Sequence, residues 1–115
     1  QELRASGLRL GVSTHGYAEM LRADAVGPSY LALGAVFPTT LKRMATAPQG
    51  VARLAAYARL MQASYQLVAI GGIAIEQFGP VRATGVGSIA VVRALVAASD
   101  PEAAAAQLLR AMASA

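Results

Sequence analysis

Short apolar runs alternate with amphipathic stretches along the whole chain. Residues 8–13 form a β-prone run, Leu-Arg-Leu-Gly-Val-Ser. In residues 16–26, Tyr17, Met20, Leu21 and Ala25 recur at helical spacing, and Gly27-Pro28 supplies the stop. Residues 30–36 are a second apolar run, halted by Pro38, and residues 39–49 are polar and predict a loop. Val51, Leu54, Ala55, Ala58 and Met61 share one face of a helix over residues 51–61. Residues 66–70 make a third strand, closed by Gly71-Gly72; residues 74–83 make a helix weakened by Gly79 and Pro80. Residues 87–92 make a fourth strand. Asp100-Pro101-Glu102 then opens a helix over residues 101–112, with Asp100 as N-cap and Pro101 in the first helical position. Residues 1–6, with Gly7 as cap, predict the tail of a preceding helix.

The predicted fold is α/β: four consecutive βα units with parallel strands joined by right-handed crossovers. Open three-layer sheets and closed barrels both match this order. Four units are half of a TIM (βα)8 barrel. The start within a helix tail leads to the expectation that residues 1–115 form one domain, the C-terminal half of such a barrel, with an N-terminal half missing.

Composition narrows the function. The chain is 56% hydrophobic and 14% charged, with a mean hydropathy of +0.48. Those values exclude a disordered tail and suggest either a large core or apolar surface awaiting a partner. No uninterrupted apolar stretch approaches the roughly 18 residues of a membrane span, and no signal sequence is present, so a cytoplasmic location is expected. Cysteine is absent, which removes disulfides and thiolate metal sites. The net charge is +4, but nine of the ten basic residues are arginines scattered singly. Without a clustered basic patch or stacking aromatics, nucleic acid is not the expected partner; small anions are.

In parallel α/β folds ligands bind at the C-terminal ends of the strands. The residues there are Ser13-Thr14-His15, then Phe37-Pro38-Thr39-Thr40-Leu41-Lys42, then Gly71-Gly72, and finally Arg93. Two glycines after a strand admit positive φ and close approach of backbone N–H groups to an anion; they also serve in a bare tight turn. Lys42, the only lysine, suits a phosphate or diphosphate, or is a solvated surface residue. His15, the only histidine, suits acid–base work or a structural loop position. Ser13 has no Asp–His pattern that would make it a nucleophile. No carboxylate pair lies at a strand end, so no metal ligands are assigned.

Taken together, Gly11-Val12-Ser13-Thr14-His15, Gly34-Ala35-Val36-Phe37-Pro38-Thr39, Lys42, Gly50, Val68-Ala69-Ile70-Gly71-Gly72-Ile73 and Ala90-Val91-Val92 resemble the C-terminal half of the thiamine-phosphate synthase family. The resemblance implies a TIM barrel that joins an aminopyrimidine diphosphate to a thiazole phosphate and releases pyrophosphate with Mg2+. It implies that Lys42, Thr39 and Thr40 contact the pyrophosphate or thiazole phosphate side, that Ser13 holds the pyrimidine diphosphate, and that Gly71 and Gly72 offer N–H groups to the thiazole phosphate. The Mg2+ ligands are expected in the missing N-terminal half.

The chain departs from the family pattern in places. A threonine–proline–threonine–lysine loop becomes Thr39-Thr40-Leu41-Lys42, the aspartate before tyrosine is Ser29, and the serine after the last strand is Arg93. Arg93 still suits phosphate, bidentately. Two other roles fit the resemblance. One is a thiazole tautomerase with His15 as acid–base. The other is a binding-only barrel, of the kind found fused to Nudix hydrolases. Taken alone, the 115-residue chain is expected to be inactive and to self-associate through open barrel edges.

Overall fold

The computed structural model describes residues 6–37 and 50–114. Along them run β1 (Gly11–Thr14), α1 (Tyr17–Val26), β2 (Tyr30–Leu33), α2 (Gly50–Met61) and β3 (Gln66–Ile70). A 3₁₀ turn (Ile75–Gln77) then leads into α3 (Phe78–Arg82), followed by β4 (Ser88–Ala90), α4 (Arg93–Val96) and α5 (Pro101–Ser114). The strands form one parallel sheet in the order β1-β2-β3-β4. An order that never reverses, with right-handed crossovers, puts every helix on the same face of the sheet. An open doubly wound sheet needs a reversal of order, so this arrangement is the barrel type.

Burial agrees. The cross-strand row Val12–Leu31–Leu67 and the next, Thr14–Leu33–Ala69–Ile89, point toward the helices. Leu31, Leu33, Leu67 and Ala69 pack in one core with Met20 and Ala23 of α1, Leu54 and Ala58 of α2, Val81 of α3 and Leu108 of α5. The intervening row, Ser13–Ala32–Val68–Ser88, belongs to the other face. There Ser13 and Ser88 are exposed and Val68 is half-buried. Tyr30 also lies on that face, and its ring fills the space where a side chain on Gly11 would stand. No helix among the described residues is long and apolar enough to cross a membrane.

Several element boundaries differ from the sequence expectation, each for a local reason. The first strand is Gly11–Thr14 rather than residues 8–13, because Ser29 intervenes in the ladder: its Oγ accepts the Leu10 N–H at 3.0 Å, and its own N–H donates to the Leu10 carbonyl at 2.6 Å. The second stops at Leu33 because Gly34 presses its backbone against the Ile70 carbonyl, leaving no room for a side chain. Pairing with the end of β3 resumes beyond it: the Val36 N–H donates to the Ile70 carbonyl at 3.1 Å and the Phe37 N–H to the Gly71 carbonyl at 3.0 Å. The helix expected over residues 74–83 is divided, since Pro80 has no N–H for the carbonyl four residues back and the chain enters through a tighter turn. The fourth strand is only Ser88–Ala90, and α4, too short to show a period, was not expected.

The helix faces differ as well. Met20 and Ala23 are the buried positions of α1, whereas Tyr17 and Leu21 are about half exposed. The helix flanks an edge strand and so, among the described residues, has a helix neighbour on one side only. Face and start agree for two other helices. Leu54, Ala58 and Met61 of α2 are buried, and the Asp100 Oδ1 accepts the Ala103 N–H at 3.1 Å. The predicted helix tail before Gly7 and the loop over residues 39–49 lie outside the described residues.

Candidate functional site at the strand ends

The end of β1 distributes its three polar residues by strand alternation. Ser13 is exposed on the helix-free face, and Thr14 points the opposite way. It is 2% exposed, and its Oγ1 donates to the Ala32 carbonyl at 2.9 Å. Thr14 is therefore a satisfied core residue. His15 follows in the turn to α1. The helix N-cap is Gly16, which has no side chain with which to cap. Glu19, in the first turn, reaches back instead to the residue before the cap. Its Oε1 accepts the His15 N–H at 3.2 Å and lies 3.0 Å from the His15 Nδ1. The hydrogen bond from His15, more than the neighbouring charge of Arg22, holds the Glu19 carboxyl below its ordinary range. Glu19 was not among the residues picked from sequence. Its signal was there: a glutamate at the third helical position, four residues after a histidine.

The ends of β2 and β3 are pinned together. Gly71 has φ +107° and Gly72 φ +66°, both in the region that favours glycine. A side chain on Gly71 would stand 2.6 Å from the Ala35 Cα. This junction also anchors the segment that carries the phenylalanine–proline–threonine motif. Its near side is Phe37, bonded to Gly71; its far side is Gly50, whose N–H donates to the Val36 carbonyl at 2.8 Å. Phe37 and Gly50, the described residues on either side of residues 38–49, both lie at the C-terminal end of β2. Thr39, Thr40, Leu41 and Lys42 themselves lie outside the described residues. Arg93 is exposed and opens α4, just past β4.

Ser13, His15, Gly71, Gly72 and Arg93 therefore share the C-terminal end of the sheet. Neighbouring strands are about 4.8 Å apart, so β1 and β4 are separated by roughly 14 Å. Ser13 and His15 lie on the β1 side of this end, and Gly71, Gly72 and Arg93 on the β3–β4 side. Among the described residues no group of three or more His, Asp or Glu could hold a metal ion.

Comparison with known proteins gives this site a context. The family profile described as thiamine monophosphate synthase matches residues 1–95. The chain is 56% identical over 109 residues to a thiamine-phosphate synthase of Salmonella schwarzengrund, covering 95% of this chain and 51% of that protein. It is 52% identical over 108 residues to one of Pectobacterium atrosepticum, covering 94% and 51%. The structure of thiamine phosphate pyrophosphorylase from Pyrococcus furiosus superimposes with a TM-score of 0.84 at 31% identity, over 98% of this chain and 52% of that one. A 3-hexulose-6-phosphate synthase, 21% identical with a TM-score of 0.69 over 96% of this chain and 52% of that one, shares the fold alone. The chain spans about half the length of the curated relatives it matches. With the profile matched over most of its length, the chain belongs to the thiamine monophosphate synthase family.

Proposed function

We propose that this chain is the C-terminal half of a (βα)8 barrel that joins an aminopyrimidine diphosphate to a thiazole phosphate. A carbon–nitrogen bond forms between the pyrimidine methylene and the thiazole nitrogen, the bond from that methylene to the diphosphate oxygen breaks, and pyrophosphate leaves. The 56% identity to a thiamine-phosphate synthase over 95% of the chain is the observation that carries this reading. The two-sided layout of the strand ends supports it. Ser13, on the β1 side, would hold the pyrimidine diphosphate. Gly71 and Gly72 would offer backbone N–H groups to the thiazole phosphate, with Arg93 beside them as a planar, bidentate donor. Lys42, Thr39 and Thr40 would take up the negative charge that develops on the departing pyrophosphate.

Mg2+ would supply further neutralisation of the diphosphate. The described carboxylates do not fit that ion, since Glu19 is engaged by His15 and no acidic cluster exists among the described residues. Its ligands are therefore assigned to the other half of the barrel. The test is a complete barrel in which this chain replaces the corresponding half of the Salmonella schwarzengrund relative. Formation of thiamine phosphate is expected; a folded chimera that binds both substrates without turnover would leave phosphate binding as the function instead.

The 115 residues taken alone should self-associate. β1 and β4 are the two edges of the sheet, and the face opposite the helices carries half-buried Val68, Ile70 and Ala90. Unpaired strand edges beside apolar surface recruit other chains. Light scattering at micromolar concentration should give a mass above that of one chain, and a stable monomer would contradict the expectation.

A further inference from the structure

The two open edges of the sheet complement each other. Along β1 the Leu10 carbonyl accepts the Tyr30 N–H at 3.4 Å and the Thr14 carbonyl accepts the Gly34 N–H at 3.1 Å. Successive residues of a strand turn their backbone groups to opposite sides, so those of Arg9, Gly11 and Ser13 point to the open side. At the other edge, the Ile70 carbonyl accepts the Val36 N–H, so Ile70 faces β2 and Ala69 faces β4. In a parallel ladder a residue that faces its neighbour bonds to the residues on either side of its registered partner. Ala69 is registered with Ile89, so it engages Ser88 and Ala90, and Ile89 turns its own N–H and C=O to the open side. The side chains match too, since Leu10, in alternation with Val12, and Ile89 both point toward the helices. The helices beside these edges leave Tyr17 and Leu21 of α1 about half exposed, and Val96 of α4 and Leu109 of α5 77% and 72% exposed.

We propose that these edges seat a second copy of the chain: two half-barrels close about a two-fold axis, β4 of each pairing in parallel with β1 of the other, into one eight-stranded barrel. The length fits. The chain accounts for 52% of the Pyrococcus furiosus structure on which it superimposes, so two copies supply one barrel. The register follows from the shear of such barrels, about eight residues, which gives a slip of about four in each half. Carried across the seam, the row Thr14–Leu33–Ala69–Ile89 reaches Leu10 of the second copy; a slip the other way would reach Ala18, inside α1. The Ile89 N–H then donates to the Arg9 carbonyl of the second copy, and the Ile89 carbonyl accepts the Gly11 N–H of the second copy. Pairing in this way extends β1 back toward Leu8, where the sequence pattern predicts a strand. It also sets α5 of one copy beside α1 of the other, so that their exposed apolar side chains cover one another. The proposal rests on the barrel reading given above and is independent of the transferase chemistry.

Light scattering of the full chain across micromolar concentrations should give twice the mass of one 11.7 kDa chain and no larger species. A monomer overturns the proposal and leaves the seat to the other half of a longer barrel; a mass that climbs past two copies overturns it in favour of open-ended stacking. The chain has no cysteine, so introduced thiols report on the seam. Leu10→Cys and Ile89→Cys placed in one chain should cross-link two copies on oxidation, because registered strand partners lie about 5 Å apart, within disulfide reach. Within a single chain the same two strands are roughly 14 Å apart and cannot be bridged. Either substitution alone should leave the copies separable in denaturant. A double variant that stays reduced, or Leu10→Cys alone cross-linking through a β1–β1 seam, overturns the closure. Where the double variant does not fold, hydrogen exchange on the unsubstituted chain decides. The Gly11 and Ile89 amides should exchange as slowly as those of Val12 and Thr14, which face β2, and exchange as fast as an open edge overturns the proposal. None of these readouts needs turnover, so an inactive complete barrel would remove the transferase function without touching the seam.

Discussion

Gly71→Ala should cost the chain about 2–6 kcal/mol, enough to unfold a domain of ordinary stability or bring it close to unfolding. Two penalties combine. At φ +107° an alanine is held in a sparsely populated region, at about 1–3 kcal/mol. The new methyl would also meet the Ala35 Cα and Cβ, each 2.6 Å away, and separating them costs about another 1–3 kcal/mol. Ala35 cannot simply retreat. It lies between Gly34, packed on Ile70, and Val36, bonded to the Ile70 carbonyl. The control is Gly27→Ala. Gly27 has φ +72° and nothing within 4 Å of the added carbon, so only the conformational penalty of about 1–2 kcal/mol applies. Urea unfolding of the two variants beside the unsubstituted chain measures the difference. Equal losses would mean that the β2–β3 junction yields to an added methyl and is no rigid seat for a ligand.

Lys42→Ala in the complete barrel should lower kcat by a factor of about 10²–10³, the usual loss when one group that stabilises developing charge is removed. The reasoning follows the leaving group. Breaking the methylene–oxygen bond places new negative charge on the pyrophosphate, and a compact ammonium answers that charge more in the transition state than in the bound substrate. The loss should therefore fall on kcat rather than on KM. Lys42→Arg should restore only part of the rate, because a planar fork does not reproduce a point charge. Single-turnover kinetics with saturating substrates separate the chemical step from product release. A normal rate in Lys42→Ala would remove Lys42 from the reaction and leave it as a surface residue.

The fold was largely legible from the chain because its signals are local. Apolar runs of strand length, separated by amphipathic helices, encode a parallel sheet through the handedness of the crossover. Asp100-Pro101-Glu102 encodes a helix start through backbone groups only a few residues apart. Gly71 and Gly72 stood out for the same reason, since a pair of glycines after a strand marks the conformation it permits. The face of α1 was less legible. Tyr17 and Leu21 have the helical spacing of core positions, but which side meets the sheet depends on neighbours remote in sequence, and Met20 and Ala23 took that place.

By itself the sequence determined the four strand–helix units, their parallel direction and the strand-end residues, because these follow from backbone conformation and short-range periodicity. The unit pattern alone fitted a barrel and an open sheet, and it was the family resemblance that pointed to the barrel; the tertiary structure agrees through its strand order, which is a matter of which distant segments pair. It alone turned Thr14 inward and Ser13 outward, because alternation fixes opposite directions but packing decides which direction is the core. It also decided that Gly34 and Gly71 are places where backbones touch, since residues 34–35 and 70–71 come within contact distance only after β2 and β3 have paired. The coupling of Glu19 to His15 lay within five residues of sequence, yet it takes a folded turn to bring one carboxylate oxygen to both nitrogens.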